Sequence, residues 1–325
     1  MSLPSVCIVT PALADANNGN WQTAKRWASL LQNDYRVQVT GQWQGEPFDA
    51  MLALHARRSA ASIERWAREQ PGKPLLVVLT GTDLYRDILD DASAQQSLEL
   101  ADRLVVLHEQ GPTAVPPEHR GKTIVSFQST SQRASQAKSQ RHLRALMVGH
   151  LREEKSPQTY FEAAHLLADR ADILLDHIGA PLDAELGAEA QSLQRSHPHY
   201  RWLAAQPHEA TRRRIQRAHV LVHASRMEGG AHVVMEAIRS GTPVLASRIP
   251  GNVGMLGSDY SGYFETGDAH GLAALLVRCR DEPAILERLT RQCAARAHLF
   301  EPARERATLI ALLTELLDEP TEKTR

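Results

Sequence analysis

Short apolar runs alternate with segments of helical periodicity along the whole chain. This alternation is typical of parallel β-sheets that are covered by helices. In the first half the runs predict six buried strands: Val6 to Pro11, Tyr35 to Thr40, Ala50 to His55, Leu75 to Thr80, Arg103 to Leu107 and Thr123 to Phe127. A helix is predicted between the first two strands from apolar residues at spacings of three and four: Trp21, Ala24, Ala28 and Leu31.

The alternation restarts after a polar segment. From Gln128 to Arg144 there is almost no apolar residue, a composition typical of a linker because it cannot bury a face. The strands predicted beyond it are Ala145 to Val148, Ile173 to Ile178, Tyr200 to Ala204, Val220 to Ala224 and Pro243 to Ala246. The predicted helices are Pro157 to Ala168, Asp183 to Arg195, His208 to Ala218, Ala231 to Ser240 and Glu301 to Leu317, the last with Ala307, Ile310, Leu313 and Leu317 in register.

Composition narrows the possible classes of protein. The 325 residues suffice for two domains, and a net charge of −1 provides no global field for binding nucleic acid or an anionic membrane. Apolar runs such as Leu75 to Leu79 are far too short to cross a bilayer. No Lys or Arg precedes the apolar start, and Pro11 interrupts it, so a secretory signal is not expected. Three scattered cysteines predict free thiols, and we expect a cytoplasmic protein without membrane attachment.

The most informative motif runs from Ser225 to Ala237, after a predicted strand and into a predicted helix. Gly229 and Gly230 allow the backbone to approach a ligand closely, and the helix start presents N–H groups to a phosphate. Glu228 and Glu236 lie eight residues apart, in the loop and the helix. We expect Glu228 to face a ligand and Glu236 to accept hydrogen bonds from a ribose. The alternative is a plain turn with Glu236 at the surface.

A second motif, Val148 to Pro157, also follows a predicted strand. Ser156 is a candidate N-cap, and Pro157 suits the first helical turn. Arg152 and Lys155 are two cations of this loop that can neutralise a diphosphate leaving group. Taken singly, each also fits an ordinary solvated loop cation.

Other candidate sites are weaker. His219 and His223 share a face of a predicted strand, but no carboxylate or cysteine completes a ligand set, so we expect no metal and no other cofactor. The arginines between 212 and 217 form a basic helix face without interleaved aromatic residues, which is typical of a solvated surface rather than a nucleic-acid site. Nothing in the sequence indicates an oligomeric state.

Together with the segment Gly241 to Ser247, these motifs resemble the donor half of GT-B glycosyltransferases over about residues 144–300. The resemblance implies an α/β fold, GT-B, with two Rossmann-like domains facing each other across a cleft. The residues it implies in donor binding are Gly149, Arg152, Lys155, Glu228, Gly229, Gly230, Ala231, His232 and Glu236. Arg152 and Lys155 would hold the diphosphate of a sugar nucleotide, in place of a metal. Glu236 would hold the ribose, while Glu228 and the N–H groups of 229–232 would hold the sugar.

The same resemblance implies a domain organisation. Residues 1–138 would form an acceptor-binding domain, residues 139–302 a UDP-sugar-binding domain, and residues 303–325 a helix that crosses back to the first domain. One departure concerns Gly230 and Ala231, which stand where many relatives have an aromatic residue and a glycine.

Polar loops follow the predicted strands of the first half as well. The candidate acceptor residues in them are Asn18, Gly19, Asn20, Arg57, Arg58, Thr80, Gly81 and Thr82, with His55 and Asp83 as candidate catalytic residues beside Arg152 and Lys155. The Asn-Gly segment forms either an anion-binding nest or a simple turn. Asp83 is alternatively a helix cap, and His55 an ordinary loop histidine.

These loops, taken with 228–231, resemble the selenosugar synthases of selenoneine biosynthesis over nearly the whole chain. The resemblance implies a glycosyltransferase that makes a 1-selenosugar from selenophosphate and a UDP-sugar, typically UDP-N-acetylglucosamine. It also implies functional links to the enzyme that produces selenophosphate and to a separate enzyme that joins the selenosugar to hercynine.

The chemistry of the acceptor agrees with a cationic loop set. The selenium of selenophosphate is already anionic and nucleophilic, so its site needs cations more than a general base. Arg57, Arg58 and Arg86 would supply them, while His55 and Asp83 would direct water at phosphorus. Two alternatives remain: a GT-B glycosyltransferase with a hydroxyl acceptor, and a sugar-nucleotide-binding module without catalysis.

Overall fold

A computed structural model describes residues 3–13 and 19–318 of the chain. The chain divides into two compact units, Met1–Ser129 with Glu301–Arg325 and Thr130–Phe300. Each unit is built on a six-stranded parallel sheet, which confirms the predicted α/β class with two Rossmann-like domains. No helix among the described residues is long and apolar enough to span a bilayer.

The sheet of the first unit contains the six strands that the apolar runs predict. They are β1 (Ser5–Val9), β2 (Arg36–Thr40), β3 (Ala50–Leu54), β4 (Leu75–Leu79), β5 (Arg103–Val106) and β6 (Thr123–Val125), in the order β2-β1-β3-β4-β5-β6. Strands β1, β3 and β4 are buried along their whole length, as expected for central strands covered on both faces. The carboxyl ends of β3 and β4 therefore lie side by side.

Helices cover both faces of this sheet. They are α1 (Gly19–Leu31), α2 (Ala60–Glu69), α3 (Ile88–Asp90), α4 (Ala92–Leu100), α5 (Gly111–Ala114) and, from the end of the chain, α13 (Pro302–Asp318). On one face α1 buries Ala24, Trp27 and Leu31. The predicted face of this helix is thus partly wrong: Trp27 rather than Trp21 enters the core, while Ala24 and Leu31 are buried and Ala28 packs against the core partly buried.

The second unit contains the strands β7 (Leu143–Val148), β8 (Ile173–Ile178), β9 (Tyr200–Trp202), β10 (Val220–His223), β11 (Val244–Ser247) and β12 (Tyr263–Phe264), in the order β12-β11-β10-β7-β8-β9. Its helices are α6 (Pro157–Leu166), α7 (Ala184–Ser196), α8 (His208–Arg217), α9 (His232–Ile238), α10 (Pro250–Leu256), α11 (Ala269–Asp281) and α12 (Pro283–Arg296). The sequence pattern assigns no element to β12 or to α10, α11 and α12. Because β7 and β10 are neighbours, the loops that follow them share one edge of the sheet.

The polar segment predicted as a linker belongs largely to the second unit. Arg212 donates to the hydroxyl and carbonyl oxygens of Ser131 at 2.9 and 2.7 Å, and Gln216 donates to the carbonyl of Ala134 at 2.7 Å. Hydrogen bonds to α8 thus fix a segment that has no apolar face. For this reason the boundary falls between Ser129 and Thr130 rather than between residues 138 and 139.

The last described helix, α13, packs on the sheet of the first unit. Its buried stripe consists of Leu309, Leu312, Leu313 and Leu316, which share a core with α1 and β1. Of the four predicted positions, Leu313 is buried and Ile310 and Leu317 pack against the same core partly buried, whereas Ala307 is exposed. The helix belongs to the unit that the chain left at Ser129.

A buried carboxylate fixes α13 to the first unit. The side chain of Glu305 is fully buried and accepts hydrogen bonds from Arg26 Nε at 2.9 Å and Trp27 Nε1 at 2.6 Å. It also accepts from the backbone N–H and the hydroxyl of Ser129, at 2.8 and 2.5 Å. A single side chain therefore joins α1, α13 and the last residue before the second unit.

Glu305→Ala should destabilise the first unit. The substitution leaves a partly buried guanidinium, an indole N–H and a backbone N–H without their acceptor, which costs about 3 kcal/mol in free energy of unfolding. Urea unfolding followed by tryptophan fluorescence measures this, because four of the five tryptophans lie in the first unit. Glu315→Ala, which removes an exposed ion pair with Arg103, is the control and should cost under about 0.5 kcal/mol. Equal effects of the two substitutions would contradict this role.

Candidate active site

The first donor loop, residues 149–156, leaves the carboxyl end of β7. Its start is held from β8, where the buried His177 directs Nε2 at the carbonyl oxygen of Gly149, 3.3 Å away. Burial lowers the pKa of His177 to about 4, so the ring is neutral at pH 7. Gly179 packs against the same peptide, and a Cβ on this residue would overlap with the carbonyl oxygen of Gly149. Nothing in the sequence pattern singles out Gly179.

The end of this loop differs from the prediction. Ser156 occupies the predicted N-cap position of α6, but its φ is +48° and its side chain makes no capping bond. The reason is that Ser156 closes the 3₁₀ turn Glu153–Lys155, and a left-handed backbone does not have N-cap geometry. Pro157 does occupy the first turn of α6, as predicted.

An ion pair links the first donor loop to the loop after β10. Lys155 Nζ pairs with Glu228 Oε1, and His223 Nε2 lies 3.4 Å from the same oxygen. Burial alone would raise the pKa of Glu228, but the charge of Lys155 and the donors of His223 and Lys155 hold it well below its ordinary value. Glu228 is therefore a charged carboxylate at neutral pH.

The second donor loop, residues 224–231, is fixed from several sides. Ser247 Oγ, at the end of β11, donates to the carbonyl of Ser225 at 2.5 Å. The backbone N–H of Arg226 donates to the carbonyl of Glu154 at 2.9 Å, which joins the two donor loops. A Cβ on Gly251 in α10 would overlap with the carbonyl oxygen of Glu228. The loop therefore depends on a close backbone approach that glycine permits.

The predicted anion site after Glu228 is only partly available. Gly229 is buried and Gly230 half-buried in the loop, and α9 begins at His232. The backbone N–H of Ala231 donates to Met255 Sδ at 3.3 Å. This amide consequently points into the unit, in contrast to its expected role towards a donor sugar.

Glu236, in the middle of α9, is buried and paired with α8. His208 Nε2 lies 2.6 Å from Glu236 Oε1, and Arg212 Nε lies 3.9 Å from the same oxygen. The His208 side chain is half exposed, so it covers the carboxylate from the solvent side. Sequence reasoning missed His208, whose only signal is its place at the start of a predicted helix after a strand.

Arg152, the other predicted cation, lies apart from this arrangement. Its side chain is 45% exposed and its Nε is 3.9 Å from Glu154 Oε2. The structure thus brings Lys155 and Glu228 into contact and leaves Arg152 at the surface of the same loop.

In the first unit, the loops after β3 and β4 are joined by Asp83. This residue is fully buried and begins a π-helical turn, Asp83–Asp87. Its Oδ1 accepts from the backbone N–H groups of Thr80 and Gly81 at 2.8 and 3.0 Å, and its Oδ2 accepts from that of Ala56 at 3.0 Å. Because backbone N–H groups occupy both oxygens, Asp83 holds the two loops together. From the sequence, this residue was expected to direct water at phosphorus.

His55 lies between these two loops. Its φ is +74°, its side chain is 2% exposed, and its Nε2 is 3.0 Å from Thr82 Oγ1. Burial lowers the pKa of His55, and the neighbouring charge of Asp83 offsets only part of this effect. The ring is therefore neutral at pH 7 and bonded to a hydroxyl of the candidate acceptor set.

The predicted arginines surround a carboxylate that the sequence did not reveal. Asp87 accepts from Arg57 Nε at 2.9 Å and from Arg86 Nε at 3.3 Å, and its side chain is only 6% exposed. Arg58 is exposed. Asp87 closes the π-helical turn that Asp83 opens, and its contact with Arg57 depends on a tertiary arrangement. Asn18 lies outside the described residues, while Gly19 and Asn20 begin α1.

A further pair lies at the same edge of the sheet: Tyr85, partly buried in the π-helical turn after β4, and His108, fully buried after β5. The Tyr85 hydroxyl lies 2.9 Å from His108 Nε2, and the two rings are stacked. Burial raises the pKa of Tyr85 and lowers that of His108 to about 4. Neither residue belongs to the site residues predicted from the sequence.

Residues 3–13 and 19–318 contain no group of three His, Cys, Asp or Glu side chains arranged to hold a metal ion. His219 is turned to the backbone, accepting from the N–H of Arg144 at 2.9 Å.

Gly179→Ala should displace the first donor loop. The added Cβ overlaps with a backbone oxygen, and relief requires movement of the Gly149 peptide and of Lys155 beyond it. We expect about a tenfold loss of affinity for UDP, the nucleotide that the sequence resemblance implies, measured by calorimetry. Gly121→Ala, with open space around its Cβ, is the control. Unchanged affinity for UDP in a folded Gly179→Ala protein would show that the close contact between Gly179 and the Gly149 peptide is not needed for binding.

His108 should make the protein sensitive to acid. Its pKa is lower in the folded chain than the ordinary histidine value, so below about pH 6.5 the unfolded chain binds the additional proton and stability falls as pH falls. We expect this residue to account for about 2 kcal/mol of the loss between pH 7 and pH 5. Urea unfolding of the wild type and His108→Gln at both pH values measures it. An identical pH dependence in the two proteins would refute the assignment.

The chain is similar in sequence to proteins of known function. Two D-inositol 3-phosphate glycosyltransferases are each 25% identical to the chain: that of Streptomyces griseus subsp. griseus over 302 residues (83% of this chain, 63% of that protein), and that of Streptomyces avermitilis over 296 residues (86% and 59%). The chain therefore spans about three fifths of the length of these relatives.

Solved structures show the same fold. Sucrose-phosphate synthase from Thermosynechococcus elongatus superimposes with a TM-score of 0.80 at 17% identity, covering 98% of this chain and all of that one. HepE of Anabaena, in complex with UDP and glucose, gives a TM-score of 0.76 at 13% identity, covering 96% of this chain and all of the other. These similarities identify the fold as GT-B, as the sequence predicts. Residues 128–294, half of the chain, match the family Glycosyl transferases group 1, and the protein belongs to that family.

Proposed function

We propose that this protein is a glycosyltransferase that transfers a sugar from a UDP-sugar to selenophosphate. The UDP-sugar is UDP-N-acetylglucosamine in the first instance, and the products are a 1-selenosugar, UDP and phosphate. Family membership supports sugar transfer, and the UDP-containing HepE structure of the same fold supports the nucleotide. The selenium acceptor rests on the sequence resemblance and on the chemistry of the first unit.

Lys155 and Glu228 support the donor part. The ammonium group of Lys155 suits the diphosphate, where negative charge grows as the bond to the sugar breaks. Glu228, charged and with its backbone packed against Gly251, suits the hydroxyl groups of the sugar. Glu236 and His208 suit the ribose, which offers two hydroxyl groups to a buried carboxylate.

The main support for the acceptor part is that the candidate bases of the first unit are already hydrogen-bonded within the protein. Asp83 is fully buried with its oxygens bonded to backbone N–H groups, and His55 is 2% exposed and bonded to Thr82. A hydroxyl acceptor needs a base that reaches its proton, whereas selenophosphate is already an anion. Arg57 and Arg86, each about half exposed, provide positive charge near these loops.

The reaction balances with one water molecule. Selenium attacks the anomeric carbon, a C–Se bond forms, and the C–O bond to UDP breaks with its electron pair leaving on UDP. Water then attacks phosphorus, so the P–Se bond breaks and phosphate leaves the selenolate of the sugar. No oxidant or reductant is required. Thr82 is the group we assign to the phosphate end, with His55 bonded behind its hydroxyl and Asp83 holding the loop.

A hydroxyl acceptor is the second candidate. It is favoured by the two relatives that are D-inositol 3-phosphate glycosyltransferases, whose named acceptor also carries a phosphate. The arginines around Asp87 suit a phosphate in either case, so the acceptor atom decides between the candidates.

An anaerobic incubation with UDP-N-acetylglucosamine and fresh selenophosphate tests the proposal. Mass spectrometry should show a sugar with the isotope pattern of selenium, together with UDP, only when both substrates are present. Replacing selenophosphate by D-inositol 3-phosphate in a parallel reaction tests the second candidate. UDP release with the inositol phosphate, without any selenosugar, would reject the selenium assignment and keep the glycosyltransferase.

Two variants sharpen this test. Lys155→Ala should reduce product formation at least 100-fold, because the leaving diphosphate loses its cation. Lys73→Ala, which removes an ammonium group bonded to the carbonyl of Phe48 away from both loop sets, is the matched control and should retain activity. Equal rates in the two variants would contradict the donor assignment.

A further inference from the structure

His223 lies directly behind the Lys155–Glu228 ion pair. It is the last residue of β10 and its side chain is 2% exposed. Its Nε2 lies 3.4 Å from Glu228 Oε1 and 3.3 Å from Ser225 Oγ. The ring thus faces the second donor loop from the sheet.

The hydrogen-bonding partners determine which ring nitrogen carries the hydrogen. A charged carboxylate only accepts and the Ser225 hydroxyl can accept, so an N–H at Nε2 suits both neighbours. Among the described residues, Nδ1 of His223 is buried without a hydrogen-bond partner. An N–H at Nδ1 would be an unpaired buried donor, which is unfavourable. The Nε2–H tautomer therefore fits this site.

The two donors share one oxygen of the carboxylate. Lys155 and His223 both approach Glu228 Oε1, and Oε2 carries neither contact. Of these donors, Lys155 is on a long side chain that the proposed function assigns to the diphosphate. His223 is rigid, because it belongs to a central strand paired with β7 and β11.

We propose that His223 is a positioning residue of the donor-sugar site. It holds Oε1 of Glu228 from the sheet, so that Oε2 is presented to the hydroxyl groups of the sugar, and it keeps this orientation when Lys155 contacts the diphosphate. The proposal rests on the UDP-sugar donor of the proposed function but not on the acceptor. It predicts that His223 affects recognition of the sugar and not of the nucleotide.

The test compares the affinities of UDP and UDP-N-acetylglucosamine by calorimetry. In His223→Leu, which retains the volume but lacks the donor, affinity for the UDP-sugar should fall about tenfold while affinity for UDP stays within twofold. In His223→Gln, whose terminal amide can donate from a position similar to Nε2, most of the affinity for the UDP-sugar should return.

His219→Leu is the matched control. His219 precedes the same strand and is also buried, but its ring contacts the backbone of Arg144 and Ser139 rather than Glu228. Its loss should leave the ratio of the two affinities unchanged.

Three results would overturn the proposal: an unchanged ratio in His223→Leu, an equal loss for both ligands, or no recovery in His223→Gln. A wild-type protein that binds neither ligand would instead reject the UDP-sugar donor, and this role of His223 with it.

Discussion

Parallel strands deliver all their carboxyl ends to one edge of a sheet, and both candidate sites depend on this constraint. In the second unit, β7 and β10 are neighbours, so Lys155 and Glu228 meet although 73 positions separate them. In the first unit, β3 and β4 are neighbours, so His55 reaches Thr82. Ligands of open α/β sheets bind at this edge. The order of the strands therefore determines where the two candidate sites lie, independently of the individual side chains.

The buried carboxylates at the two sheet edges have different kinds of hydrogen-bonding partner. Glu228 is kept ionised by an ammonium group, in a place where burial alone would favour its neutral form. Asp83 is instead surrounded by backbone N–H groups, which makes it part of the loop structure. A carboxylate with a mobile cationic partner can exchange that partner for a ligand, whereas one bound to the backbone cannot do so without unfolding its loop.

The sequence predicts the strands well because central parallel strands are continuous apolar runs. It predicts helix faces less well: in α1 and α13 several positions of similar polarity compete, and packing against the sheet selects among them. Lys155 and Glu228 were identified from local motifs. His223, Asp87 and Gly179 were not, because their roles arise from contacts between segments distant in the chain.

Glu305 connects residues that are made at very different times. Ser129, Arg26 and Trp27 leave the ribosome long before α13, and the whole second unit is synthesised in between. Domains generally fold as units during synthesis. The second unit is continuous in sequence and can fold as soon as it emerges. Until α13 is made, the first unit has one face of its sheet covered by α1 without α13, and the partners of Glu305 lack their acceptor. The unit that is synthesised first is therefore the last to complete its fold.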